Sequence, residues 1–373
     1  MHIPVSEPII AKEEIQNILS ALRAKAISGL YGDYINKFEN GFARYSQCAY
    51  GIASNSGTSA LHLAVAALGI GNNDEVLVST FTNMATFFSV LYQGARPVPI
   101  DIEPDTWNIN PALIEKKITK KTKAILVVHI YGHPCDMDPI LKIARKYGLF
   151  VIEDCAEAHG ATFKGKKVGS LGDVGCFSFY ANKIVTTGEG GMLTTNNKKI
   201  ADKAKSLKSL AFGDKNKFMH QDIGFGYRMT NLQAAIGCAQ FKKIENVISM
   251  KRRIAKYYSD NLADVPRLQL PVEKSYAKNV YWMYHIVLHK DCGITRDLFM
   301  RKLAGRGIET RESFIPYNMQ RLFIKRGWTR LSECPVANYV AKNGLYIPSG
   351  PKLSTKELCY VVTSIKEILG EYK

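Results

Sequence analysis

Asp138-Pro-Ile-Leu-Lys-Ile-Ala-Arg-Lys-Tyr147-Gly148-Leu149-Phe-Val-Ile-Glu153-Asp154 contains one whole helix-to-strand unit. Pro139 in the first turn and Gly148 after the last are ordinary helix punctuation. The β-branched and aromatic run that follows predicts a short buried strand. The same unit recurs outward along the chain. Glu75-Val-Leu-Val-Ser79, Pro97-Val-Pro-Ile-Asp101 and Ala124-Ile-Leu-Val-Val-His129 are short apolar runs, each followed by a helical pattern. Such alternation predicts an α/β fold, with a mostly parallel sheet flanked by helices. Farther on, 231 to about 261 reads as one long helix, and Pro266 to Pro271 marks the passage to a smaller domain. There Val280–Leu288 reads as a central strand and Thr295–Gly305 as a helix.

In an open parallel sheet, ligands sit at the carboxyl ends of the strands, which is where Asp154 falls. Some thirty residues later, Cys176-Phe-Ser-Phe-Tyr-Ala-Asn-Lys183 runs into Ile-Val-Thr-Thr-Gly-Glu-Gly-Gly191. A lysine held in a partly dry site becomes a carbonyl-trapping nucleophile, because loss of water disfavours its ammonium form. The Ser178 hydroxyl and the Gly188–Gly191 turn suit a compact anionic cofactor. Pyridoxal 5'-phosphate needs an acidic group to keep its ring nitrogen protonated, a need Asp154 can meet while Lys183 holds the aldehyde carbon. Each residue also has a plainer reading. Asp154 is well placed to cap the next helix, and a lysine beside a glycine turn is often only solvated. The pairing of the two favours the cofactor.

A third segment, Ala53-Ser-Asn-Ser-Gly57-Thr58-Ser-Ala60, precedes the alanine- and leucine-rich Leu61–Leu68. Small hydroxyl residues and a glycine at a helix N-terminus offer free amides and a favourable dipole to a phosphate. A simple N-cap explains the same residues.

Together these segments resemble the DegT/StrS family of pyridoxal-phosphate sugar aminotransferases. The resemblance extends from Ile3 to the C-terminal helix through Gly32–Glu39, Asn55–Thr58, Asp74-Glu-Val, Phe81-Thr82, Val128–Asp136, Ile152–Glu157, Phe177–Gly191 and Tyr227-Arg-Met-Thr-Asn231. It implies an aspartate-aminotransferase-like fold, the fold type I of pyridoxal-phosphate enzymes, with a large cofactor-binding domain over 1–250 and a smaller C-terminal α+β domain over 251–373. It implies Lys183 as the covalent attachment point and proton shuttle. Asp154 pairs with the ring nitrogen, and Glu157 lies near the phenolic oxygen. Gly57 and Thr58 give amides to the phosphate, Ser178 adds a hydroxyl, and Asn83 lies beside the ring. His159, Arg228, Tyr317 and Asn318 are substrate-facing candidates, with Arg228 for the glutamate carboxylate. The reaction it implies is ping-pong. L-glutamate gives its amine, 2-oxoglutarate leaves, and a nucleotide-linked 4-keto-6-deoxy sugar takes the amine. The His129–Met137 and Glu153–Ala158 wording is most similar to members that act on GDP-4-keto-6-deoxymannose. A related dehydratase branch carries histidine in place of the lysine, so Lys183 argues for transamination. UDP- or dTDP-linked sugars, or a non-catalytic cofactor-binding regulator, are the alternatives.

Two positions depart from the family pattern. Gly226 stands where asparagine usually reaches across a homodimer to the neighbouring phosphate. Asn83 stands where an aromatic residue often covers the ring, leaving the amide or Met84 to do so. At Asn318 the most similar members usually carry histidine, so the sugar is less firmly read than the reaction.

The 373 residues exceed the usual size of one core, consistent with two domains. No apolar run nears the ~20 residues that span a bilayer, and the first residues lack a secretory pattern. Eight cysteines without paired spacing predict no metal site and a cytoplasmic enzyme. The net charge of +17 raises the question of nucleic acid. Its lysines are dispersed and no groove-binding motif accompanies them, which predicts a solvated basic surface that attracts anionic substrates.

Overall fold

Short β-branched runs cannot satisfy their backbone groups alone, and here seven of them join in one sheet. The structure, a computed structural model, describes residues 2–213 and 215–372. In chain order the strands are β1 (Tyr50–Ser54), β2 (Glu75–Ser79), β3 (Arg96–Ile100), β4 (Thr122–Val128), β5 (Phe150–Asp154), β6 (Val174–Ser178) and β7 (Gly191–Thr195). They lie in the order β1-β7-β6-β5-β4-β2-β3. Neighbours are parallel except at β7, which runs antiparallel to both β1 and β6. Alternation along the strands feeds two cores. Val76, Val78, Leu126 and Ile152 face one, and Leu77, Ile125, Val127 and Val151 face the other. Burial on both faces explains why these strands read as unbroken apolar runs.

The Met137–Tyr147 helix ends at Gly148 in the left-handed region (φ 64°), the conformation for which glycine suits the position. The expected long helix is broken: Asn231–Lys242 and Ile244–Leu262 meet at Lys243. Lys243 leaves helical geometry at φ −101°, and its ammonium bonds the buried Glu14 carboxylate at 2.8 Å. Residue 250 lies inside the second of these helices, which serves two cores. Ile244, Val247 and Ile248 pack into the first, and Ile254, Tyr258 and Leu262 into a C-terminal core with Ile286, Phe299 and Ile365.

The C-terminal region adds β8 (Leu268–Gln269), β9 (Tyr284–Leu288), β10 (Arg311–Glu312) and β11 (Gly344–Ile347) in the order β8-β9-β11-β10. The helix read from Thr295 is Arg296–Gly305, with the Thr295 hydroxyl capping Leu298 N–H. The strand read over 280–288 begins only at Tyr284. Tyr281 takes a positive φ of 49°, and the Val280 and Trp282 amides bond the Gly132 and Tyr131 carbonyls. That detour brings the Trp282 indole against the Asn182 carbonyl, to which its Nε1 donates at 2.9 Å. No described helix is long and apolar enough to cross a membrane.

Candidate active site

The carboxyl ends of β5 and β6 and the start of the Gly57–Ala67 helix surround a cavity of ≈ 300 Å³. Lys183, Asp154, Glu157, Ser178, Gly57, Thr58 and Asn83 all border it. Seven residues scattered over 57–183 thus converge on one space.

Lys183 follows β6 in a turn closed by its amide on the Tyr180 carbonyl (2.9 Å). Its Nζ lies 3.9 Å from Glu157 Oε1 and 3.5 Å from the centroid of the Trp282 ring. Burial pushes its amine below the usual lysine range, opposed by the charges of Glu157 and Asp154. A lowered pKa eases loss of the proton, and the free amine carries the lone pair that attack on a carbonyl needs.

Asp154 ends β5 with both oxygens engaged. The Thr86 hydroxyl donates to Oδ2 (2.8 Å) and the Ala156 amide to Oδ1 (3.1 Å). Burial raises its pKa, while the two hydrogen bonds and Lys183 hold it down. A cation set against it, such as a protonated ring nitrogen, would favour the carboxylate further. No helix follows Asp154: the chain turns through 155–160, so the Ala156 bond closes a turn and the helix-cap reading is not met.

Glu157 accepts from the Tyr131 amide (2.7 Å), and burial pushes its carboxyl up to about 7. The folded state favours the protonated form, so that contribution is complete below the ordinary 4.5 and is lost as pH rises through about 7. Glu157→Gln should therefore flatten the fall in stability across that window, as read by urea unfolding of cofactor-free protein. Equal slopes in variant and parent would contradict this.

At the other end, Ser56 caps the Gly57–Ala67 helix by accepting from the Ser59 amide (3.1 Å). The Gly57 and Thr58 amides precede the first intrahelical bonds and point out of the helix end. A Cβ on Gly57 would lie 2.6 Å from Ser178 Cβ and 3.1 Å from Ser178 Cα, so only glycine allows this approach. Gly57→Ala should weaken cofactor binding at least about tenfold, as expected from losing a charge-assisted hydrogen bond. Unchanged affinity in a cofactor titration would sink this. Asn83 caps the Met84–Tyr92 helix through the Ala85 amide (2.9 Å) and borders the cavity, while Met84 packs against the core.

Four other candidates do not reach this cavity. His159 is fully buried among Phe42, Phe177 and Phe179, and burial lowers its pKa to about 3. Tyr317 stacks between Phe87 and Phe323, each at 4.3 Å. Asn318 accepts from the Thr80 hydroxyl and donates to the Leu331 carbonyl and Asn338, which leaves it a structural bracket. Arg228 bonds the Ser209 hydroxyl (2.9 Å), outside the cavity of this chain. At Gly226 the backbone φ is not positive and a Cβ would meet nothing within 4 Å, so a conformational need for glycine is removed.

Thr86, Trp282, Phe314 and Tyr346, not singled out in the sequence, are among the further residues that border the cavity. Only Thr86 carried a signal, one turn after Thr82, whose hydroxyl it meets at 2.9 Å. Beside the site, His129, Glu153 and Cys155 have metal-ligand chemistry. Their lone pairs are occupied: Glu153 accepts from the Gly169, Leu171 and Gly172 amides and pairs with His129 Nε2, while His129 Nδ1 takes the Cys135 amide. That cluster pins the 169–172 loop under β5.

A desolvated lysine, a buried carboxylate and a glycine-built anion cradle at the carboxyl ends of central strands fit pyridoxal 5'-phosphate, as in a lysine-dependent enzyme of that class. Residues 8–366 match the DegT/DnrJ/EryC1/StrS aminotransferase family, and the chain belongs to it. It is 40% identical over 370 residues to GDP-perosamine synthase of Escherichia coli O157:H7, covering 99% of each chain. The GDP-perosamine synthase of Caulobacter vibrioides is 40% identical over 368 residues, covering 98% of each. A solved aminotransferase from Psychrobacter cryohalolentis superposes with a TM-score of 0.92 at 32% identity, covering 99% of this chain and 100% of that one. The protein is accordingly a pyridoxal-phosphate-dependent aminotransferase with the expected fold type I architecture.

When bound, the cofactor supplies an electron sink that eases loss of a proton from a carbon attached to its nitrogen. With the cofactor bound, Lys183, the amine bordering the cavity, would be the group to attack its carbonyl and carry that proton, and Asp154, fixed by Thr86, would supply the negative charge. Trp282 and Phe314 border the cavity with apolar surface and exclude water.

Proposed function

We propose that this enzyme transfers the amino group of L-glutamate to C4 of a GDP-linked 4-keto-6-deoxy sugar, forming GDP-perosamine for a surface polysaccharide such as O-antigen. Support comes chiefly from end-to-end likeness to GDP-perosamine synthases together with a lysine, not a histidine, at position 183. In this reading Lys183 holds the cofactor and moves protons in both half-reactions. Asp154 faces the ring nitrogen, Glu157 and Asn83 flank the ring, and Gly57, Thr58 and Ser178 receive the phosphate. The enzyme works in the cytoplasm as a homodimer with shared sites. Exposed Ile15, Leu19 and Leu22 on one face of the Lys12–Arg23 helix, with Phe218 and Ile223, support a buried partner surface. The excess of positive charge favours encounter with a nucleotide diphosphate.

A UDP- or dTDP-linked substrate is the second reading, favoured by likeness to a UDP-N-acetyl-3-dehydro-alpha-D-glucosamine 3-aminotransferase (37% identical) and a dTDP-3-amino-3,4,6-trideoxy-alpha-D-glucose transaminase (32%). Comparing kcat/KM for GDP-, UDP- and dTDP-4-keto-6-deoxy sugars tests the choice. Preference for the GDP sugar is expected, and a UDP or dTDP preference would overturn it.

A further inference from the structure

Behind the reacting lysine lies a second buried lysine that the reaction does not use. Lys251, 3% exposed on the Ile244–Leu262 helix, donates from Nζ to the carbonyls of Trp282 (2.8 Å) and Ser349 (2.7 Å). Neither partner is a carboxylate. Burying an amine this way is costly, and an apolar chain of similar length would avoid the cost. What the lysine adds is its grip on those two carbonyls.

That grip bears on Lys183. Trp282 is tied through its carbonyl to Lys251, through its amide to the Tyr131 carbonyl (3.0 Å), and through Nε1 to the Asn182 carbonyl (2.9 Å). Asn182 directly precedes Lys183, whose Nζ meets the face of the indole. A small cavity of ≈ 20 Å³ is bordered by Asn182, Lys183 and Lys251 together. We propose that Lys251 is a positioning residue for Lys183: by holding the Trp282 and Ser349 carbonyls it fixes the indole that covers the reacting amine and keeps water away.

The proposal rests on Lys183 being the reacting lysine. Around Lys183 the titratable groups are Asp154, Glu157, His159 and Lys251, with Glu189, Tyr180, Tyr346 and Glu7 bordering the two cavities. The carboxylates favour its charged form. Burial opposes it, and Lys251 is itself pushed down to about 7, by burial first and then by the charge of Lys183.

Competitive acetylation of the full cofactor-free chain with acetic anhydride, read by mass spectrometry of the Lys183 peptide across pH, gives the titration midpoint of that amine. The parent should titrate below the ordinary lysine value of about 10.4. Lys251→Met should raise the midpoint by roughly one unit, as expected when a freed indole lets water reach the amine, and Lys251→Arg should move it less. A folded Lys251→Met protein with an unchanged midpoint overturns the proposal. Should that variant not fold, Trp282→Leu tests the same link and should show the same rise; an unchanged midpoint there, or an ordinary midpoint in the parent, also overturns it. Failure to aminate any sugar would refute the proposed function and leave this titration standing.

Discussion

Lys183→Ala protein should lose about 10⁴-fold in turnover, the upper range for removal of a positioned proton-transfer group. The loss should exceed that from any other single change, because two jobs disappear together. After borohydride treatment, the parent should carry cofactor mass on the peptide containing Lys183, and the variant should carry none on any peptide. The nearest buried amine, Lys251, is engaged by two carbonyls and is not expected to substitute. A small primary amine added to the medium should restore part of the proton transfer. A variant that still forms the reducible adduct at full yield would remove Lys183 from its assigned role.

Asp154→Asn should fold, because the Thr86 and Ala156 bonds can be kept by an amide oxygen in part, yet turnover should fall by about 10²–10³-fold. A neutral amide supplies no charge to hold a proton on the ring nitrogen. Cofactor affinity should weaken by roughly 1.5–3 kcal/mol, the range for a hydrogen bond to a charged group. Steady-state rates at saturating cofactor separate the two effects. Near-normal rates would reduce Asp154 to a residue that shapes the turn after its strand.

The segments that carry this chemistry were legible because each obeys a local rule. Strand ends in a parallel sheet gather ligands, glycine permits close approach, and a small-residue helix start offers amides. Asp154, Lys183 and Gly57 follow from those rules, and the structure brings them together. Trp282 did not, because its placement depends on the positive φ of Tyr281 and on contacts with Tyr131 and Lys251 made across some 150 and 30 residues. Within an apolar run it looked like one more strand residue. Tyr317 and Asn318 failed in the opposite sense. Family resemblance implied a substrate-facing loop, but in this chain packing between Phe87 and Phe323 and three hydrogen bonds engage them inside the fold. Side-chain identity cannot distinguish a polar group facing ligand from one spent inside the fold. The helix break at Lys243 was hidden for a similar reason, since its partner Glu14 lies far away in sequence.

The central claim is transfer of nitrogen from glutamate to a nucleotide-linked keto sugar through Lys183. Incubating the holoenzyme with ¹⁵N-labelled L-glutamate and GDP-4-keto-6-deoxymannose, then weighing the nucleotide sugar, tests it most directly. The account predicts that the ketone oxygen is replaced by a ¹⁵N amino group in the parent and not in Lys183→Ala. Cofactor-loaded parent that leaves this sugar, and its UDP and dTDP counterparts, free of ¹⁵N would contradict it.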